Sequence, residues 1–251
     1  NISRTSPQPS GSPSIQKRPG GSRSPEGNPR PPDWRTSHGS HEARYFGADA
    51  TDLFNYLTGY SAKKDYRKLL VAPINLRARM ETLIKREIEH QRDGNGGRLI
   101  FKINSLVDRG MIQLLYQASQ AGVQIDLVVR GICCLRPSLE GISENIRVTS
   151  VVGRFLEHSR IYYFQNAGRE EIYLGSADLM PRNINWRVEV LFPVQDIRLV
   201  RYLRDTVLET YLLANTKARS MQADGSYKTI KPKNDAKLLN PQEWLIDYHQ
   251  R

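Results

Sequence analysis

Read from its first residue, the chain changes character near position 45. Before that point apolar positions are isolated: Ile2, Ile15, Trp34 and Ala43 stand among 8 Pro, 9 Ser and 5 Gly. So few apolar side chains cannot offset the entropy of ordering the chain, and residues 1–44 read as a disordered tail. Beyond it the apolar positions fall into two periods. Leu76, Met80, Leu83, Ile84 and Ile88 recur three and four apart, with Lys85, Arg86, Glu87 and Glu89 on the other face, which predicts an amphipathic helix. Asp52 predicts the cap of an earlier helix carrying Leu53, Phe54 and Leu57 and ending near Gly59. Gly94, Gly96 and Gly97 break the chain before a short strand at 99–103. Asp108 then caps a helix through Met111, Ile112, Leu115 and Ala118 that stops at Gly122, and a strand follows at 123–129. A strand–helix–strand unit of this kind predicts a parallel, right-handed pair. More strands are predicted at 146–151, 160–164, 171–175 and 187–192, then a long amphipathic helix with Ile197, Val200, Leu203, Val207 and Tyr211 on one side. Asn240, Pro241 and Glu243 occupy the cap, first and third positions of a last helix. The pattern is that of an α/β domain over 45–220, followed by an extension over 221–251 with a short helix. Limited proteolysis is expected to cut first within 1–44; a first cut within 98–192 would overturn that boundary.

Charge narrows the partners. With 37 Lys and Arg against 26 Asp and Glu, the formal charge is +11. A basic surface favours polyanions: nucleic acid, nucleotides, polyphosphate or an acidic membrane face. No apolar run reaches 18 residues, so no membrane span is expected, and the first residues lack the apolar block of a signal peptide. The two cysteines, Cys133 and Cys134, are neighbours; they offer neither a disulfide framework nor metal-ligand spacing and suit a reducing, cytoplasmic compartment. The chain opens on Asn1 rather than Met, as a piece of a longer protein would.

Candidate chemistry sits where strands end, as is usual in α/β proteins. Arg130 follows strand 123–129 and precedes Gly131, which places a guanidinium at the carboxyl edge of the sheet, a position suited to gripping phosphate. The plainer alternative is a surface arginine that ends a strand. In Glu157-His158-Ser159-Arg160, ahead of a strand, an imidazole stands two residues from a guanidinium on extended backbone, so both project to one face. The cation can neutralise phosphate oxygens while the histidine gives or takes a proton or attacks phosphorus. A structural histidine at a strand start is the alternative. Gly175-Ser176-Ala177-Asp178 is a small-residue turn that can expose N–H groups and a hydroxyl to phosphate, and Asp178 can hold His158 or Arg160. Arg187, at the start of the next predicted strand, adds a third cation.

Together these positions resemble the second half of the phospholipase D superfamily signature, His-x-Lys, then an Asp, then Gly-Ser-x-Asn. Here Arg160 replaces the lysine, Asp178 replaces the asparagine, and Gln165 stands where the intervening Asp is expected. Those departures match another pattern. Asn104-Ser105-Leu106-Val107-Asp108, Val129-Arg130-Gly131, the run 139–147 (Leu-Glu-Gly-Ile-Ser-Glu-Asn-Ile-Arg), Arg154-Phe155-Leu156-Glu157-His158 and the run 176–183 (Ser-Ala-Asp-Leu-Met-Pro-Arg-Asn) resemble the final domain of polyphosphate kinases, over roughly residues 45–220. The resemblance implies a phospholipase-D-like mixed sheet flanked by helices. It also implies reversible transfer of the terminal phosphate of ATP to polyphosphate through a phosphohistidine, with Mg2+, in a homo-oligomer that has no nucleic-acid partner.

Within that resemblance Arg130 and His158 fall on nucleotide-binding positions, with Ser176 and Asp178 beside them. His158 faces the phosphohistidine and assists transfer, and Arg160 and Arg187 stabilise transition-state charge. The phosphorylated histidine itself belongs to the family's preceding domain, and the metal ligands are expected outside this chain. His38 and His41 are poor substitutes for it. Two other readings compete: a phospholipase-D-type phosphodiesterase or nuclease acting as a dimer, and a non-catalytic polyanion-binding module.

Overall fold

The computed structural model describes residues 40–60, 65–232 and 237–250, with side chains from residue 44; most of the expected tail at 1–44 lies outside it. The first helix, α1 (Ser40–Leu57), contains Asp52 rather than being capped by it, and Phe54 and Leu57 are exposed. A short strand, β1 (Leu70–Ala72), precedes α2 (Leu76–Arg92), whose five predicted apolar positions are all buried. Next come β2 (Arg98–Ile103), α3 (Arg109–Gln120) and β3 (Gln124–Val129). Asp108 caps α3 as expected, accepting from the Met111 N–H at 3.0 Å, and also takes a bidentate grip from Arg77. Strands β4 (Ile146–Val151), β5 (Arg160–Phe164), β6 (Glu171–Gly175) and β7 (Glu189–Pro193) follow, with a short helix α4 (Pro181–Asn185) before β7. Arg187 lies in the turn before β7, not inside the strand.

All nine strands join one mixed sheet in the order β1-β7-β6-β5-β2-β3-β4-β8-β9, where β8 is Ala218–Met221 and β9 is Tyr227–Thr229. The β2–α3–β3 unit is parallel, β4 continues parallel to β3, and β5 runs antiparallel to β2. Alternation along the strands separates two layers. Leu99, Phe101 and Ile103 face a core with Met80, Ile84 and Leu115 of α2 and α3; Ile100 faces the other side with Ile161 and Tyr163. Phe101 sits edge-on to Tyr162 and Phe164 at 5.0 and 5.5 Å between ring centroids. Each such ring, fully buried, contributes about 1.5–3 kcal/mol. The α/β expectation of a mixed sheet flanked by helices is met.

The second layer is a helical run at 197–212: α5 (Ile197–Tyr202), a π-helical segment (Leu203–Leu208) and α6 (Glu209–Leu212). Plain α-periodicity predicts Ile197 on the buried side, yet it is half exposed, while Val200, Leu208 and Tyr211 are buried. The wider π turn accounts for the change of register, since it adds a residue between the inward positions at 203 and 208. Tyr211 is thereby packed against Val128 and Val151 of β3 and β4. A last helix, α7 (Pro241–Gln250), begins where Asn240 accepts from the Gln242 N–H at 3.2 Å.

Candidate functional site

Strand directions bring the candidate residues to one edge of the sheet. Parallel β2 and β3 end together at Ile103 and Val129, β5 starts beside the end of β2, and Arg160 pairs with Gly175 at the end of β6. Four chain segments therefore leave or enter that edge: 104–108, 130–135, 152–160 and 176–180. The first two touch, with the Gly131 N–H donating to the Asn104 carbonyl at 2.8 Å. A Cβ on Gly131 would lie 2.9 Å from that carbonyl oxygen, so only glycine lets the Arg130 turn close this tightly on β2.

A relay of polar contacts links the segments. Arg130 Nε donates to Asn104 Oδ1 at 2.8 Å. The backbone N–H groups of Asn104 and Ser105 donate to Asp178 Oδ1 at 2.7 and 3.3 Å, and Arg160 Nη2 meets Asp178 Oδ2 at 2.9 Å. Arg160 Nη1 then donates to the His158 carbonyl at 2.7 Å. The Asp178 turn is anchored from below, because Tyr162 donates its hydroxyl to the Ala177 carbonyl at 2.8 Å. Asp178 and the Arg160 side chain are mostly buried, whereas His158 is exposed. Two donors in this relay, Asn104 Nδ2 and Arg160 Nε, are buried without a partner.

A second cluster lies beneath His158. Lys102, on the face of β2 turned toward the helical run, sends its ammonium to Glu157 Oε2 at 2.7 Å and to Ser159 Oγ at 2.8 Å, under the Tyr211 ring at 4.5 Å. Tyr211 donates its hydroxyl to Glu157 Oε2, and Gln242 Nε2 donates to Glu157 Oε1 at 2.7 Å. Burial pushes the Lys102 ammonium below the usual lysine range, with Arg130 and Arg160 adding to the effect and Glu157 opposing it. Burial pushes Glu157 the other way, but the Lys102 charge and the hydrogen bonds from Lys102, Tyr211 and Gln242 outweigh it and hold the carboxyl below its ordinary range. The pair therefore stays ionised at neutral pH. Beside it, a cavity of about 220 Å³ opens between Arg130, Phe155, Glu157 and Gln242.

The structure thus places Arg130, His158, Arg160 and Asp178 in one relay. Asp178, expected among the phosphate-binding residues, is enclosed by Arg160 and two N–H groups, so its geometry is that of a support. Of the two partners the sequence offers it, it takes Arg160. Arg160 is likewise engaged, with two nitrogens committed to Asp178 and to the backbone of His158. Ser176 is exposed and accepts from the Val190 N–H at 3.2 Å. Arg187 is exposed, and among the described residues no hydrogen bond or ion pair ties its side chain to the others. Sequence reasoning missed Lys102, Tyr211 and Gln242. A lysine inside the apolar run 99–103 was the available signal for the first; nothing local marks the other two.

No described group of three or more His, Cys, Asp or Glu could hold a metal ion, and the carboxylates nearest the site, Asp178 and Glu157, are already engaged. The residues of this chain do not fit a magnesium site of their own. No helix among the described residues is long and apolar enough to cross a membrane.

Residues 69–242 match a family model described as "Polyphosphate kinase C-terminal domain 2". The chain is 58% identical over 186 residues to a polyphosphate kinase of Synechocystis sp., covering 74% of this chain and 25% of that one. It is 56% identical over 195 residues to polyphosphate kinase 1 of Chlorobaculum tepidum, covering 78% of this chain and 28% of the relative. The crystal structure of a polyphosphate kinase from Porphyromonas gingivalis superposes with a TM-score of 0.77 at 40% identity, over 80% of this chain and 31% of that one. The mixed sheet is accordingly the phospholipase-D-like one expected. The chain spans about a quarter of the length of the curated relatives it matches.

Proposed function

This chain belongs to the polyphosphate kinase family, in its C-terminal domain, and on that footing we propose that it supplies half of a phosphoryl-transfer site, moving the terminal phosphate of ATP reversibly onto inorganic polyphosphate. The observation that carries the reading is the relay Arg130–Asn104–Asp178–Arg160–His158, which fixes two guanidiniums and the backbone of an exposed imidazole at one sheet edge. Arg130 uses Nε on Asn104, and among the described residues its two terminal nitrogens donate to nothing; they are the donors that grip phosphate. His158 gives or takes a proton during transfer. Arg160 sets the position of His158 and adds its field, while Arg187 and the Ser176 hydroxyl complete the contact with phosphate oxygens. Asp178 acts by holding Arg160. The phosphohistidine, and with it the rest of the site, comes from the greater length seen in the relatives. Magnesium arrives on the phosphates of the nucleotide and is held outside this chain, in a cytoplasmic homo-oligomer.

Binding tests the reading. Arg130→Ala is expected to weaken binding of ATP or tripolyphosphate by about 1.5–3 kcal/mol, the scale of a hydrogen bond to a charged group. The affinity of the unaltered chain should fall as salt rises, since the attraction is between arginine and phosphate. Calorimetry that gives the variant the affinity of the parent would remove Arg130 from the site.

A further inference from the structure

The segment that presents His158 has little to hold it. Between β4 and β5 the chain runs from 152 to 159 without regular structure, and Val152, Phe155 and Leu156 are 60%, 49% and 75% exposed. A stretch with so little apolar burial is expected to open easily unless its backbone is tied down. The Val152 N–H donates to the Lys217 carbonyl at one end, and Arg160 reaches the His158 carbonyl at the other. Between them, among the described residues, the backbone of 153–156 is reached by one side chain: Gln242, which the sequence places 87 residues after Phe155.

Gln242 meets it as a neighbouring strand would. Its Oε1 accepts from the Phe155 N–H at 2.9 Å and its Nε2 donates to the Phe155 carbonyl at 2.8 Å. The second hydrogen of Nε2 goes to Glu157 Oε1 at 2.7 Å, so one carboxamide joins the loop backbone to the Lys102–Glu157–Tyr211 cluster. The chain makes room for it: a Cβ on Gly153 would lie 2.1 Å from Gln242 Oε1. Lys102 in turn holds both neighbours of His158, Glu157 and Ser159.

We propose that Gln242, in the first turn of the C-terminal helix, is a positioning residue for His158, and that docking of that helix sets whether the histidine is presented. The proposal rests on the phosphate-site reading above for what His158 is presented to. It assigns the C-terminal helix a part in the site although the helix lies outside the sheet edge that carries the arginines.

Gln242→Ala, Gln242→Met (similar volume, no hydrogen bonds) and Gly153→Ala, which displaces the carboxamide, are made in the full 251-residue chain. Three readouts are taken on each: amide hydrogen exchange over 153–158, the NMR signals of the His158 ring, and calorimetric binding of inorganic tripolyphosphate. Arg130→Ala is the control for phosphate binding. Exchange over 153–158 is expected to rise about tenfold or more, the effect of losing two backbone-directed hydrogen bonds on a local opening. The His158 signals should shift, and tripolyphosphate affinity should fall severalfold. Gly153→Ala combined with Gln242→Ala should add nothing to either change alone, because both break the same contact. Gln242→Met guards against the case in which alanine frees the whole helix. A folded Gln242→Met protein with unchanged exchange and an unmoved His158 ring would overturn the proposal. If Arg130→Ala also leaves tripolyphosphate binding unchanged, the phosphate-site reading fails, and the exchange and ring signals still judge Gln242 on their own.

Discussion

Asp178→Ala is expected to lower the stability of the domain by about 3–5 kcal/mol, the cost of removing one partner from a buried ion pair. The side chains of Arg160 and Asp178 are only 14% and 8% exposed, so water cannot replace the lost carboxylate. Arg160 already has one buried nitrogen without a partner, and the substitution would strand a second. The Asn104 N–H, which donates to Asp178 Oδ1 at 2.7 Å, would lose its acceptor as well. Asp178→Asn keeps an oxygen for that N–H but gives up the charge that holds Arg160, and should cost about half as much, near 1.5–3 kcal/mol. Denaturant unfolding measures both, with the shift read at the midpoint. An alanine variant within about 1 kcal/mol of the parent would mean that the relay is not the support described above.

Much of this was legible in the sequence because its signals are local. The apolar period of α2 and the Asp108 cap of α3 needed no tertiary information, and the strands from β2 to β6 fell within a residue or two of their predicted bounds. The pairing of Asp178 with Arg160 was one of two partners the spacing allowed. What stayed hidden depends on distant chain. Strands β1, β8 and β9 are three or four residues long, and β8 (Ala-Arg-Ser-Met) carries no apolar alternation; it is a strand because β4 offers it an edge. Ile197 was misplaced because a π segment breaks the 3.6-residue period that put it on the buried face. Gln242 looked like an ordinary residue of a helix start, and its significance comes from Phe155 and Glu157, more than 80 residues earlier.

The largest effect of all is expected at His158, and it needs the whole enzyme. Its backbone is pinned by Arg160, both its neighbours are held by Lys102, and among the described residues its ring makes no hydrogen bond, so the imidazole is free to exchange a proton with a phosphoryl group. In a chimera where this segment replaces the corresponding quarter of the Synechocystis relative, polyphosphate synthesis should persist. His158→Ala in that chimera should cut synthesis by roughly 10²-fold or more, the scale of a lost general acid–base group. The loss should fall on kcat, whereas Arg130→Ala should act chiefly on KM, because the first group works in the transition state and the second grips phosphate throughout. The 251-residue chain by itself should take up no acid-labile ³²P from labelled ATP, since His158 matches the assisting histidine of the family and not the one that is phosphorylated. Labelling of the lone chain on His158 would reverse those roles and make the domain a self-sufficient phosphotransferase. Cleavage of bis(p-nitrophenyl) phosphate by a dimer of the chain would instead place it with the phosphodiesterases, whose histidines work in pairs.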